Sequence, residues 1–202
     1  MRKALKIIGV TYYDGRENVV LKSDSSMLVN RKPLFVPEWV HDLQALPCMV
    51  LRVSRLGKCI APRYASRYYD AVAPGADFFA ADILAKAKQE GRPWTEAIAF
   101  ENSLAIGEWE ELGGTAPRAE QSKVESSWCL ERNGETIEKA IWQQDGLDEV
   151  FAGAIARASA MVTIRQGDLI YVALRQAPWR LQSEDILHCI NEEKETLFCK
   201  IK

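Results

Sequence analysis

The clearest periodic segment of the chain is residues 147–162, where Leu147, Val150, Phe151, Ala154, Ile155, Ala158 and Met161 recur at spacings of three and four. That spacing lines one face of an α-helix, so a helix is expected here, packed against a core. Elsewhere the apolar runs are short. Residues 6–10 and 19–22 suit two strands, with the turn-forming Asp14-Gly15 and Asn18 between them. Residues 34–37, 49–53, 104–108, 127–131, 169–174, 186–190 and 196–201 read as further strands, with Pro37 and Pro47 expected only at ends, edges or bulges. Asn133-Gly134, between Cys129-Leu130-Glu131 and Thr136-Ile137-Glu138, predicts a tight hairpin. Helices are also expected over 63–73, stopping at Pro74-Gly75, and over 81–90, with Gly91 as its C-terminal cap; residues 113–122 read as a loop.

Many short strands with three helices that do not alternate regularly predict an α+β fold on mainly antiparallel or mixed sheets. A length of 202 residues favours one domain over 1–202. The formal charge of −2 and pI near 5.8 argue against nucleic-acid binding by bulk electrostatics. No apolar run is long enough to span a membrane, and the chain begins with Met1-Arg2-Lys3-Ala4-Leu5-Lys6 leading straight into a strand-like segment. A soluble, cytoplasmic protein is therefore expected.

Five cysteines, with no Cys-x-x-Cys spacing and only His41 and His188 beside them, fit reduced, packed thiols better than a zinc site or disulfide framework. Cys189 and Cys199 could face each other across a terminal hairpin. Trp39, Trp94, Trp109, Trp128, Trp142 and Trp179 are expected mostly in core packing. No phosphate-binding glycine loop, Gly-x-Ser-x-Gly or His-Glu-x-x-His motif is present.

Read in order, several segments resemble the fumarylacetoacetate hydrolase family, whose members cleave, decarboxylate or isomerise small keto acids at a magnesium held by carboxylates. Lys22-Ser23-Asp24-Ser25 is similar to its Lys-Pro-x-Ser, and Leu56-Gly57-Lys58 to its Ile-Gly-Lys. The most specific segment runs from Gly75-Ala76-Asp77 to Ala80-Ala81-Asp82, similar to Gly-x-Asp-x-(Ser/Thr)-Ala-Arg-Asp. Phe100-Glu101-Asn102-Ser103, Ile106-Gly107 and Gly167-Asp168-Leu169-Ile170 follow in the family's order. The resemblance implies a β-rich mixed-sheet roll or sandwich of the family's C-terminal domain type, with a few flanking helices, and a homodimer.

It also implies a damaged site. Counting back from Leu56-Gly57-Lys58, the family's metal-binding Glu-x-Glu falls on Met49-Val50-Leu51, so only Asp77 remains of three carboxylates. The family's lysine is Ile98, its signature arginine is Ala81, and Val172-Ala173-Leu174-Arg175 stands for Thr-Gly-Thr-Pro. No His-x-x-Glu pair is present. The expectation is a member without keto-acid hydrolase or decarboxylase activity, acting as a binding or regulatory homologue. No cofactor is expected, the ancestral magnesium or manganese being lost. Its pocket would draw on Lys22, Ser25, Asp77, Asp82 and Arg175, and its partners would be a second copy, a small anionic metabolite or an active paralogue, with no nucleic acid and no membrane. Asp77 or Asp82 is expected to cap the helix at Ala81. The alternative is a divergent enzyme with replacement carboxylates such as Glu101, Glu108 or Glu110, or with Cys48 as nucleophile.

Overall fold

The computed structural model describes residues 5–13, 16–29, 31–112, 127–141, 146–191 and 194–202. The first strands are β1 (Ile7–Thr11), β2 (Asn18–Lys22), β3 (Met27–Leu28), β4 (Leu43–Val53), β5 (Tyr69–Ala80), β6 (Leu104–Ile106) and β7 (Glu110–Glu111). They are followed by β8 (Ser127–Arg132), β9 (Glu135–Ile141), β10 (Leu169–Ala173), β11 (Trp179–Arg180), β12 (Ile186–Asn191) and β13 (Lys194–Lys200). The helices are α1 (Ala81–Gln89), α2 (Thr95–Ile98) and α3 (Leu147–Met161), with short 3-10 turns at Asp24–Ser26 and Pro62–Arg67. No described helix is long and apolar enough to cross a membrane.

The large sheet has the order β2-β1-β10-β4-β5-β6-β3, with β11 beside β4 and β7 beside β5; a second sheet runs β13-β12-β8-β9. Pairs β1–β10 and β3–β6 are parallel and the others antiparallel, so the expected α+β fold on mixed sheets is what the chain forms. The large sheet curls into a roll: Lys22, on the edge strand β2, reaches Ser103 next to β6 near the opposite edge. The inner face of the second sheet, with Trp128, Leu130, Leu187 and Cys189, packs into the main core with Phe151 and Ile155 of α3.

The structure corrects the helix expected over 63–73. Only Pro62–Arg67 turns, and β5 then runs straight through Pro74-Gly75. A central strand buried on both faces lacks polar alternation, which hides it from pattern reading. Both prolines sit where a neighbouring strand is interrupted. Pro74 accepts from the Gly107 amide at the break between β6 and β7, and Pro47 accepts from the Leu174 amide between β10 and β11. A missing N–H costs little in such a gap.

The Asn133-Gly134 hairpin forms with φ of 53° and 84° at the two residues, the left-handed pair such a turn requires. Cys189 pairs with Leu197 and Cys199 with Leu187, so the two thiols are not directly opposed, and both are free. Of the tryptophans, Trp128 is buried and Trp94 and Trp109 pack partly buried against smaller apolar clusters. The loop expected over 113–122, Trp142 and the Asp14-Gly15 turn lie outside the described residues.

Candidate functional site

Strand register decides which side chains meet Asp77. On β4 and β5, Leu46 pairs with Asp77, Cys48 with Gly75 and Val50 with Ala73, whereas Met49 pairs with Pro74 and Leu51 with Val72. Paired residues project to the same side of a sheet, so Asp77 shares its face with Leu46, Cys48 and Val50. Met49 and Leu51 point the other way, into the main core with Val172 and Ile170. Counting back from Gly57-Lys58 therefore lands on the opposite face of β4, since a difference of one residue in the count exchanges the two faces of a strand.

At Asp77 the roll encloses a polar cluster. Lys22 Nζ lies 2.7 Å from Asp77 Oδ1, and both side chains have no solvent exposure. The same ammonium lies within donating distance of the Ser103 carbonyl at 2.8 Å, Ser103 Oγ at 3.1 Å and the Phe78 carbonyl at 3.4 Å. Thr11 Oγ1 donates to Asp77 Oδ2 at 3.1 Å. The hydroxyls of Tyr13 and Tyr171 are 3.1 Å apart, and the Lys22 ammonium stands 5.7 Å from the Tyr171 ring centroid. Strand β1 carries Thr11 inward, and its Gly9 leaves room for Tyr171: a Cβ there would lie 2.2 Å from the tyrosine ring.

Burial sets the proton affinities. It pushes the Lys22 ammonium below its ordinary range, while the Asp77 carboxylate pulls it back up. Burial first and the charge of Asp77 second push Tyr13, Tyr171 and Cys48 well above theirs. Cys48 is therefore a protonated, buried thiol rather than a nucleophile.

Of the residues singled out from sequence, Lys22 and Asp77 come together. Ile98 is buried in an apolar cluster with Leu46, Phe79 and Tyr13, against which Ala81 also packs. Ser25 does not join them; it is exposed, with its Oγ 2.6 Å from Ser23 Oγ. Asp82 accepts from the His41 amide at 3.3 Å, and Arg175 lies 3.3 Å from Glu138, with its guanidinium 5.7 Å from the Trp179 ring. The helix-capping expectation fails: α1 begins at Ala81 without a side-chain cap, and Asp77 lies within β5. Glu108 pairs with Lys194 at 2.6 Å and Glu110 accepts from Asn191 at 3.2 Å, while Glu101 sits exposed in a turn. Thr11, Tyr13, Ser103, Leu46 and Tyr171 complete the cluster, and sequence reasoning missed their role. Only the inward alternation of β1 and β4 could have suggested any of them.

A cleft of about 480 Å³ between α3, β9 and the ends of β1 and β10 is lined by Val10, Val172, Arg157 and Arg175, among others. A second, of about 400 Å³, lies between the Pro62–Arg67 turn and α3. Neither is lined by Lys22 or Asp77. Among the described residues no group of three or more His, Cys, Asp or Glu side chains is arranged to hold a metal ion.

No curated protein matches the sequence. Solved structures match the fold over almost the whole chain. The fumarylpyruvate hydrolase from Pseudomonas aeruginosa in complex with Mn2+ and pyruvate is 16% identical, with a TM-score of 0.76 over 98% of this chain and 89% of that one. The 5-carboxymethyl-2-hydroxymuconate delta-isomerase from Mycobacterium smegmatis is 16% identical, with a TM-score of 0.74 over 98% of this chain and 78% of that one. The Mn2+ in the Pseudomonas protein overturns the expectation that no cofactor goes with this chain. Replaced side chains at a few positions do not decide the matter, because backbone carbonyls and water also ligate hard cations. At Asp77 itself the donor chemistry does not fit such an ion. Leu46 and Cys48 offer no hard oxygen, and Lys22 and Thr11 already engage the two carboxylate oxygens.

The match to a family model covers residues 11–179 and is to the fumarylacetoacetate (FAA) hydrolase C-terminal domain. With the roll, the motif order and that match in agreement, the chain belongs to the fumarylacetoacetate hydrolase family.

Proposed function

We propose that this protein is a family member that does not cleave keto acids at the Asp77 centre and serves as a non-catalytic binding or regulatory homologue. One observation carries the reading: the Lys22–Asp77 pair is fully buried and internally neutralised. Both oxygens of that carboxylate are already engaged out of reach of solvent, Oδ1 by the Lys22 ammonium and Oδ2 by the Thr11 hydroxyl. The apolar replacements point the same way, since Ile98 brings no amine and Leu46 and Cys48 bring no carboxylate to the same face. In this reading residues 1–202 act as one domain, as a cytoplasmic homodimer, engaging a small anionic metabolite or an active paralogue.

The test is turnover. Purified protein with Mn2+ or Mg2+ is assayed against fumarylpyruvate, acetopyruvate and oxaloacetate by loss of enol absorbance. No rate above the metal-and-buffer blank is expected. Saturable turnover that Asp77→Asn abolishes, in a variant whose near-UV spectrum shows it folded, overturns the proposal.

A further inference from the structure

Charge is unevenly placed in this chain. Residues 43–69 contain Arg52, Arg55, Lys58, Arg63 and Arg67 and no Asp or Glu, so the remaining residues carry all of the negative balance. Arg52 is committed to Asp70 and Glu111, at 2.7 and 2.6 Å. Lys58 donates to the Ala160 and Met161 carbonyls at the end of α3, both at 3.0 Å. Arg55, Arg63 and Arg67 are exposed and pair with no carboxylate among the described residues. Gly57 and Ile164 exchange backbone hydrogen bonds of 3.0 and 2.9 Å, which sets the exposed Arg165 beside this segment; its amide donates to Asp168 Oδ2 at 2.8 Å, while its guanidinium pairs with no carboxylate among the described residues.

Two features make this more than a solvated basic face. The Arg63 and Arg67 guanidiniums lie 4.8 and 5.3 Å from the ring centroid of Tyr64, so one ring orders both cations on a turn anchored by the buried Ala65. Guanidiniums ordered on an aromatic ring lose less freedom when they grip a carboxylate in two-point fashion. Apolar groups stand exposed on the same elements: Leu56 at 69%, Met161 at 43% and Tyr64 at 41%. Isolated exposed apolar residues are ordinary, but here they alternate with unpaired cations.

We propose that residues 54–67, with Arg165 and Met161, form a docking surface for a short acidic peptide segment of a partner protein, read by Arg63 and Arg67 and anchored by an apolar residue at Leu56. The boundary of the surface favours this partner over a longer polyanion. Glu149 of α3 lines the same cleft as Arg63 and would repel negative charge continuing past it. A nucleic-acid strand or an anionic bilayer extends its charge beyond such a patch, whereas a segment of a few acidic residues ends within it. The surface is separate from Asp77, and its test reads no activity.

Fluorescence anisotropy of the full chain with a labelled octapeptide of alternating glutamate and leucine tests the surface. Saturable binding at low salt is expected, weakening at least about tenfold in the folded double variant Arg63→Glu/Arg67→Glu, and several-fold in Leu56→Asp. Lys86→Glu, on the distant helix α1, is expected to bind as the parent does. Absence of binding overturns the proposal, as does equal weakening by Lys86→Glu. So does tighter, Arg63- and Arg67-dependent binding of oligo-dT or of phosphatidylserine vesicles.

Discussion

Lys22 Nζ and Asp77 Oδ1 stand 2.7 Å apart with both side chains wholly withdrawn from solvent, which ties the edge strand β2 to the central strand β5 across the inside of the roll. Removing one partner leaves the other's charge buried without its counter-charge. Asp77→Leu or Lys22→Met is therefore expected to cost about 3–5 kcal/mol each. The double variant Lys22→Met/Asp77→Leu should cost far less than the two together, because no stranded charge remains. Urea denaturation of the four proteins checks this. Additive losses would mean that the pair is not coupled.

Gly9 is a close-approach glycine, set directly against the Tyr171 ring. Gly9→Ala should destabilise by at least about 2 kcal/mol, since a packed tyrosine cannot shift without straining its neighbours. Adding Tyr171→Leu should recover part of that loss, measured as a rise in denaturation midpoint over Gly9→Ala alone.

Stability should fall on the alkaline side. Burial raises Cys189 and Cys199 from an ordinary 9.0 to about 12, and it raises Cys48, Tyr13 and Tyr171 as well. A group that keeps its proton longer when folded gives its full contribution below its unfolded pKa. For the two thiols that contribution is lost between about pH 9 and 12, with a slope of ~1.4 kcal/mol per pH unit for each. Lys22 is shifted the other way and adds stability as pH rises towards 10.5, opposing the five groups alone. A urea midpoint that falls above about pH 9, and falls less steeply in Cys189→Ala/Cys199→Ala, is expected; a rising midpoint contradicts the burial argument.

Thiol labelling should follow exposure. Cys59 is exposed, whereas Cys48, Cys189 and Cys199 are buried. Iodoacetamide should modify Cys59 in the native protein and reach the other three only in denaturant, read by peptide mass spectrometry. Native labelling of Cys48 would revive its candidacy as a nucleophile.

Local signals were legible in the sequence. Helix α3 follows from its spacing and the β8–β9 turn from Asn133-Gly134, because each depends on residues close in the chain. Strand β5 was not legible, since its residues are buried on both faces and Pro74 reads as a terminator until the gap between β6 and β7 is seen. The candidate site was half legible. Its motif order exposed Asp77 and Lys22 separately, but their pairing depends on the curl of the sheet. The side facing Asp77 depends on the pairing of Leu46 with Asp77 and of Cys48 with Gly75, which no count along β4 reveals.

The parallel pairing of β1 with β10, which sets Ile7 beside Leu169, governs the order of assembly. A nascent chain leaving the ribosome presents its first strand, apolar on both sides, long before the partner that covers it has been synthesised. Contacts so distant in sequence form late and slowly. During that interval β2 can pair with this strand, but Ile7, Ile8 and Val10 lack the rest of their core, and chaperone supply should govern the yield of folded protein more than its final stability does.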